Sequence, residues 1–487
     1  MKIGIDFGTT FSLPAARING HTETLLPTGV YGIPSVFYRD AKQGILIGVP
    51  ADKRGNYKPE NVVRDVKMMI SDTSTKNFRL DGRIFTKNQI VGQIIEEIVK
   101  FSIEEINKKA LKSQNIEGAV ISVPAAFDIR ELDFIKHAAE TYANLKVLGF
   151  IREPVAAAIA YFNAPSAEDK KTILIYDLGG GTCDVAIVRA DKDSKEWYKV
   201  LESDMQRIGG RDWDSVLVEM IKRKCREEDE YIEFTKRDEE KIRKVAIDVK
   251  HTLSRLTEYN SQVEVDGEIY DFTITRKEFE KKSSELLQDT MNMVDKLKRK
   301  FGGKIDYIVC VGGGSNMPQV KAAFETKYPD IELKLYEPAT AIAFGAAFYA
   351  EHLTEESYLC DICKFSYGAE YIEDFAKYHD EDRLRVWNLI YKDAVLPASG
   401  NSTSYKIKED QSSIHIAIYE SECKEDIYLP AKGKRIGEIE ISGIRKSSTG
   451  SPILLTMTID RSGLMHLKAV DKESERSVEA DIHLESY

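Results

Sequence analysis

Two short runs of this 487-residue chain carry the residue types of a phosphate site, IGIDFGTT from Ile3 and ILIYDLGGGT from Ile173. Both follow one plan: an apolar strand, aspartate, an apolar residue, glycine, small residues and threonine. Asp6 and Asp177 therefore stand at the carboxyl ends of strands, the edge at which open α/β sheets bind ligands. Glycine has to follow, because backbone can approach a phosphate only where no Cβ intervenes and the turn has permissive dihedrals. The N–H groups of Gly8, Thr9 and Thr10, and of Gly180, Gly181 and Thr182, can then cradle phosphate oxygens. The aspartates cannot do so, since like charges repel. They are expected to hold a hydrated Mg²⁺, which keeps several waters and takes few carboxylates. One such run alone could be a hairpin turn; two behind apolar strands mark a two-lobed phosphate site. No GxxxxGK[ST] sequence occurs, so a phosphate-neutralising lysine has to come from elsewhere in the chain.

The elements that position these turns can be read from periodicity. Up to residue 352, short apolar strands at 3–7, 119–123, 173–177 and 307–311 alternate with helical segments at 154–161, 212–253 and 276–300. The small-residue run TAIAFGAAFYA at 340–350 is a further helix, suited to close packing. This is an α/β pattern. Beyond 352 the period becomes two. Ile414, Ile416 and Ile418 alternate with Ser413, His415, Ala417 and Tyr419, and ILLTMTIDRSGLMHLKAV from Ile453 is two strands joined by a turn. The expected organisation is a domain over 1–352, a linker over 353–362 and an antiparallel β domain over 363–487.

Composition removes several classes. A net charge of −11 is the wrong sign for a nucleic-acid surface. The run IKRKCREEDEYIEFTKRDEEKIRK from Ile221 mixes both signs and reads as a solvated helical face. No apolar stretch reaches about 18 residues, so no membrane span is expected, and the opening MKIGIDFG leaves no room for a signal peptide. Six scattered cysteines fit a reducing cytoplasm better than a disulfide framework. Cys360 and Cys363 make one C-x-x-C pair, with no second pair to complete a zinc site.

IGIDFGTTFS, VPAAF at Val123, IREPVAAAIAY at Ile151, DLGGGTCDVAI at Asp177, IGGRDWD at Ile208, TITRKEFE at Thr273 and VGGGSNMP at Val311 occur in the order found in the 70-kDa heat-shock chaperones (DnaK-like), which this chain resembles. The resemblance continues through GAEY at Gly368, QSSIHIAIYE at Gln411, IGEIEISGI at Ile436 and IDRSGLMHLKAVDK at Ile459, which look like that family's substrate-binding β-sandwich. It implies an α/β actin-like two-lobed ATPase domain followed by an antiparallel β-sandwich, binding ATP/ADP and Mg²⁺. By the resemblance Lys67 is the catalytic lysine, Glu153 helps to orient Mg²⁺ and water, and Thr182 lies near the hydrolytic water. Asp6 and Asp177 hold the metal through water. Gly8, Thr9, Thr10, Gly179, Gly180, Gly181, Asp184, Gly209 and Gly210 belong to the phosphate side. Lys250, His251, Ser254, Gly312, Gly313 and Asn316 belong to the adenosine side.

The chain departs from that family at several positions. Asn316 stands in place of an arginine that stacks on the base, Ile247 in place of a glutamate that meets the ribose, and Ala339 in place of an acidic residue. His251 could stack on the adenine or be a plain helix-surface residue. Gly149 replaces an arginine that engages the J-domain co-chaperone. Leu132 replaces another arginine of the interdomain relay, with Arg130 nearby, while the switch proline is kept as Pro124. No helical lid follows the β domain before Tyr487, so a short, lidless member is expected. Ile414 and Ile416 match the floor of the family's peptide pocket or are simple core. The segment 372–391, with Phe375 and Trp387, has no counterpart and could rebuild a peptide groove or fill it. The functional expectation is a chaperone-like ATPase whose nucleotide state controls binding of extended peptide; the alternative is a nucleotide-switched module for one dedicated protein client. Expected partners are unfolded segments or that client, with a J-domain protein and a nucleotide exchange factor, and neither nucleic acid nor membrane.

Overall fold

The structure is a computed structural model that describes residues 1–487 other than 28, 73, 110–114, 165–169, 192, 194–196, 354–358, 373–382, 407–412, 443–451, 462, 473–474, 476 and 482–487. Residues 354–358 of the linker and 373–382 of the 372–391 segment, including Phe375, lie outside the described residues. The chain forms two compact units, Met1–Ala126 with Phe134–Tyr358, and Phe127–Asp133 with Leu359–Tyr487. Its secondary structure is mixed α and β.

In the first unit, β1 (Lys2–Asp6), β2 (Phe11–Ile18) and β3 (His21–Thr24) form an antiparallel meander. β4 (Gly118–Val123) and β5 (Val147–Arg152) extend it in parallel on the β1 side, giving the order β5-β4-β1-β2-β3. A second sheet is built from β6 (Lys171–Leu178), β7 (Cys183–Ala190), β8 (Tyr198–Gln206), β9 (Tyr307–Val311) and β10 (Glu332–Leu335). These run in the order β10-β9-β6-β7-β8. The repeat seen in the sequence is thus a repeat of strand order, a three-strand meander with two parallel strands added on one side. Strands such as β4 and β6 read as continuous apolar runs because nearly every residue in them is buried.

The helices hold the turns at the strand ends. Glu153–Phe162 follows β5 directly and is buried along its whole length, with Pro154 in the first turn where no N–H is needed. Against it packs Ala341–His352, so closely that a Cβ on Gly345 would overlap the carbonyl of Ala156. The helical run expected over 212–253 is two helices, Gly210–Glu228 and Lys236–Leu253. Thr235 starts the second one: its Oγ1 accepts from the Asp238 N–H at 3.2 Å, while Asp238 accepts from the Thr235 N–H at 3.2 Å. The run over 276–300 also divides, into Arg276–Lys282 and Ser284–Phe301. Ser283 breaks it, with φ −100° and its hydroxyl donating to the Phe279 carbonyl at 2.9 Å. Trp213, Leu217, Ile242 and Val249 from the first two helices pack with Leu174 and Tyr176 of β6 in one core. Among the described residues no helix is long and apolar enough to cross a membrane.

The second unit carries two antiparallel sheets. One is made of β11 (Ser366–Ile372), β12 (Leu384–Ile390), β14 (Ser413–Ser421), β15 (Ile427–Tyr428) and β16 (Lys434–Ser442), in the order β15-β12-β11-β14-β16. The other is β13 (Ala398–Lys406), β17 (Pro452–Ile459), β18 (Met465–Asp471) and β19 (Ser477–Asp481), in that order. Inward residues of both, Ile416, Ile418 and Ile439 with Leu455, Met457 and Leu467, share one apolar core. The β17–β18 turn is where the DRSG run predicts it, with Gly463 at φ +84° and its N–H donating to the Asp460 carbonyl at 3.1 Å. Ile416 is buried in the core and Ile414 packs at its edge. Trp387 is half-buried on β12, its ring edge-on to Tyr371.

Candidate functional site

Asp6 ends β1 and sits in register with Ser122 on β4, whose hydroxyl donates to Asp6 Oδ1 at 2.9 Å. The turn that follows is pinned by Ser35. Its hydroxyl donates to the Gly8 carbonyl at 2.7 Å, and its N–H donates to the Thr10 carbonyl at 2.9 Å. The second turn, Gly179 to Thr182, joins β6 to β7 and is closed by the Gly179 N–H donating to the Thr182 carbonyl at 3.0 Å. It sets Asp177 and Asp184 in register across the hairpin, with Val311 of β9 beside Asp177 on the other side. Gly312 then turns at φ +78°, where a Cβ would also overlap the Asp177 carboxylate; only glycine serves there.

The two turns touch. A Cβ on Gly181 would lie 2.9 Å from Thr9 Oγ1, and one on Gly180 would overlap Thr10 Oγ1. The start of helix Gly210–Glu228 is stitched to the second turn: the Gly210 N–H donates to the Gly179 carbonyl at 2.8 Å, and the Arg211 N–H to the Gly180 carbonyl at 3.0 Å. A Cβ on Gly209 would fall 2.5 Å from the Gly181 nitrogen. Glycine at 180, 181 and 209 lets three backbones meet where a side chain would separate them.

Behind the turns lies a buried ion pair. Lys67, on the short helix Val66–Met69, bonds through its ammonium to Glu153, the first residue of Glu153–Phe162; they are 3% and 6% exposed. Asp6, Glu153, Asp177 and Asp184 are four carboxylates in the electrostatic reach of this one lysine. Burial first, then the charge of Glu153, pushes Asp6 up to about 6 against the pull of Lys67 and Ser122. The same two causes push Asp177 well up and Asp184 up to about 7, the latter opposed by the Ala125 N–H and Thr182. Asp177 Oδ1 and Asp184 Oδ2 are buried with no hydrogen-bond partner. Four carboxylates thus share one lysine, a local shortage of positive charge.

The residues assigned by sequence to the phosphate side, Asp6, Gly8 to Thr10, Lys67, Glu153, Asp177, Gly179 to Thr182, Asp184, Gly209 and Gly210, belong to these turns and this pair, whereas Gly312, assigned to the adenosine side, lies against the Asp177 carboxylate. The adenosine-side residues lie on neighbouring elements. Lys250 reaches the Gly210 carbonyl at 2.8 Å and forms an ion pair with Asp214 at 2.7 Å. Ser254 caps the same helix by donating to the Lys250 carbonyl at 3.0 Å. His251 has an exposed surface, and loss of hydration around its ring, then the charge of Lys250, lowers its pKa. Asn316 turns back on its own segment, its amide donating to the Gly313 carbonyl at 3.1 Å. Sequence reasoning missed Ser35, Ser122 and Asp214. Ser122 becomes visible once β1 and β4 are paired, and Asp214 lies one helical turn beyond Gly210 in IGGRDWD.

The model of the Hsp70 protein family matches residues 2–486. The chain is 29% identical over 516 residues to the chaperone protein HscA of Buchnera aphidicola subsp. Baizongia pistaciae, covering 100% of this chain and 96% of that protein. It is 28% identical over 521 residues to a ribosome-associated molecular chaperone of Saccharomyces cerevisiae, covering 98% and 80%. To a ribosome-associated molecular chaperone of Zygosaccharomyces rouxii it is 28% identical over 522 residues, covering 99% and 81%. A match that runs almost end to end, on a chain with paired Asp-Gly turns about a buried Lys67–Glu153 pair, leads to one conclusion: this protein belongs to the Hsp70 family of ATP-hydrolysing chaperones.

Proposed function

We propose that residues 1–352 form a two-lobed, actin-like ATPase domain whose nucleotide state sets the affinity of a β-sandwich domain, 363–487, for extended apolar peptide. A linker at 353–362 joins the two. The observation that carries the hydrolytic part is the buried Lys67–Glu153 pair beside the partnerless oxygens of Asp177 and Asp184.

In this reading the backbone N–H groups of Gly8, Thr9, Thr10, Gly180, Gly181 and Thr182 hold the terminal phosphates of ATP, with Gly179, Gly209 and Gly210 keeping the turns in contact. Lys67 stabilises the negative charge of the transferring γ-phosphoryl group. Glu153 anchors Lys67 and accepts a hydrogen bond from the attacking water, which the Thr182 hydroxyl also orients. The oxygen-only donor set and the two partnerless carboxylate atoms fit Mg²⁺, which Asp6 and Asp177 would hold through water, with Asp184 beside them. When bound, Mg²⁺ neutralises phosphate charge. Gly312 and Gly313 let backbone approach the nucleoside, flanked by Lys250, His251, Ser254 and Asn316.

Peptide binding is assigned to the β half on its two-sheet architecture, and the free thiols of Cys183, Cys225, Cys310, Cys363 and Cys423 suit a reducing cytoplasm. Gly149 offers no side chain to a J-domain, so weak stimulation by J-proteins is expected. The test is single-turnover ATP hydrolysis with and without a panel of unrelated unfolded peptides. Stimulation by many peptides supports the chaperone reading, and stimulation by none replaces it with a module for one dedicated client.

A further inference from the structure

Asp184 is completely buried, and its Oδ1 accepts a hydrogen bond from the backbone N–H of Ala125 at 2.6 Å. The carbonyl of that same Ala125 accepts a hydrogen bond from Arg152 Nη1. Arg152 is the last residue of β5 and directly precedes Glu153, the partner of Lys67. One residue therefore has both backbone polar groups held, its donor by a carboxylate of the site and its acceptor by a guanidinium next in sequence to the site. Pro124 offers no N–H, so Ala125 supplies the first donor beyond the end of β4.

We infer that Arg152 is a positioning residue for hydrolysis: by holding the Ala125 carbonyl it fixes the Ala125 N–H against Asp184 Oδ1, so that Asp184 Oδ2 faces the site. The inference rests on the ATPase reading above. A carboxylate anchored at one oxygen cannot rotate freely, which makes the orientation of the partnerless Oδ2 depend on where Ala125 is held. Ala125 lies beyond the end of its strand, where ladder hydrogen bonds no longer fix it. The rigid planar fork of Arg152 supplies the missing constraint, and a lysine would supply it only in part. Because Arg152 and Glu153 are adjacent, the same strand end sets Asp184 on one side and the Lys67 partner on the other.

The experiment compares full-length wild type, Arg152→Ala, Arg152→Lys, Asp184→Ala and the Arg152→Ala/Asp184→Ala double variant. ATP affinity is measured by calorimetry and hydrolysis under single turnover. Arg152→Ala should slow hydrolysis roughly tenfold while ATP affinity changes less than about twofold, and Arg152→Lys should recover part of the rate. The double variant should be no slower than Asp184→Ala alone, because the two act through one contact. Multiplying losses in the double variant, or an unchanged rate in Arg152→Ala, would overturn the inference. So would equal losses of affinity and rate that lysine does not rescue, the mark of a merely structural arginine. Lys67→Met measured in parallel separates the two levels: full activity there refutes the placing of hydrolysis at Lys67 and Glu153, whereas inactivity there with a wild-type rate in Arg152→Ala refutes only the role of Arg152. Should Arg152→Ala not fold, Arg152→Gln and Arg152→Lys carry the same cycle with Asp184→Ala.

Discussion

Asp177 and Asp184 face each other across the hairpin of β6 and β7 as register partners, each buried and each with one carboxylate oxygen that no protein group satisfies. Keeping them charged carries a cost: burial, then the charge of Glu153, raises both pKa values, and the charge of Asp184 adds to the rise at Asp177. Replacing one by a neutral amide should relieve it. Asp177→Asn is expected to stabilise the nucleotide-free first unit at pH 8 by on the order of 1–3 kcal/mol. It should also remove most of the stabilisation that Mg²⁺ with ADP gives the wild type. Thermal unfolding of both proteins, with and without Mg²⁺ and ADP, checks both signs at once.

The pH dependence follows from Asp6 and Asp184. In the folded state they titrate near 6 and 7, above their ordinary value of 3.8. Between about pH 4 and 7 the folded protein thus binds more protons than the unfolded chain. The stability from this source is complete below about pH 4 and is lost as pH rises through 6 and 7. Binding of Mg²⁺ with ATP needs the charged carboxylates and should release protons at pH 6.5. Calorimetry in buffers of different ionisation enthalpy reads that release directly; proton uptake on binding would contradict the assignment.

The Lys67–Glu153 pair gives a prediction on stability as well as rate. Lys67→Met should lower single-turnover hydrolysis by roughly 10²–10³-fold and, by leaving Glu153 buried and unpaired, cost about 3–5 kcal/mol. Adding Glu153→Gln should restore much of the stability and none of the hydrolysis. Denaturant unfolding with rate measurements on the single and double variants separates the two effects.

Close approach at the turns makes a steric prediction. A Cβ at Gly209 meets the backbone of Gly181 at 2.5 Å from its nitrogen, so Gly209→Ala has to push helix Gly210–Glu228 off the second turn. ATP affinity should fall at least tenfold, since backbone and not a flexible side chain has to give way. Gly267→Ala, at an exposed turn with open space around it, should leave ATP affinity at the wild-type level.

On the adenosine side the amide of Asn316 is turned to the Gly313 carbonyl, and Gly313 has open space beside it. Asn316→Arg should therefore tighten ATP binding, by roughly threefold to thirtyfold if its guanidinium stacks on the base. Competition titrations with ATP and GTP should show the wild type discriminating between the bases less sharply than this variant.

Much of this arrangement was legible in the sequence because it is encoded locally. Strand, aspartate, glycine and threonine stand within ten residues of one another at Asp6 and again at Asp177. The helical boundaries at Thr235 and Ser283 were missed, since charged residues continue across both breaks and only the hydroxyl hydrogen bonds show the interruption. Ser35, Ser122 and Arg152 were invisible as site residues for another reason. Each acts through an atom contributed by a distant strand end or by backbone, and a carbonyl such as that of Ala125 leaves no signature in side-chain chemistry.

The contact of Gly180 with Thr10 and of Gly181 with Thr9 has a mechanical consequence. It joins the two five-strand repeats at the turns themselves, so a rotation about that contact displaces atoms in proportion to their distance from it. Backbone at such a pivot would stay almost still, while the far end of helix Lys236–Leu253 would sweep farther.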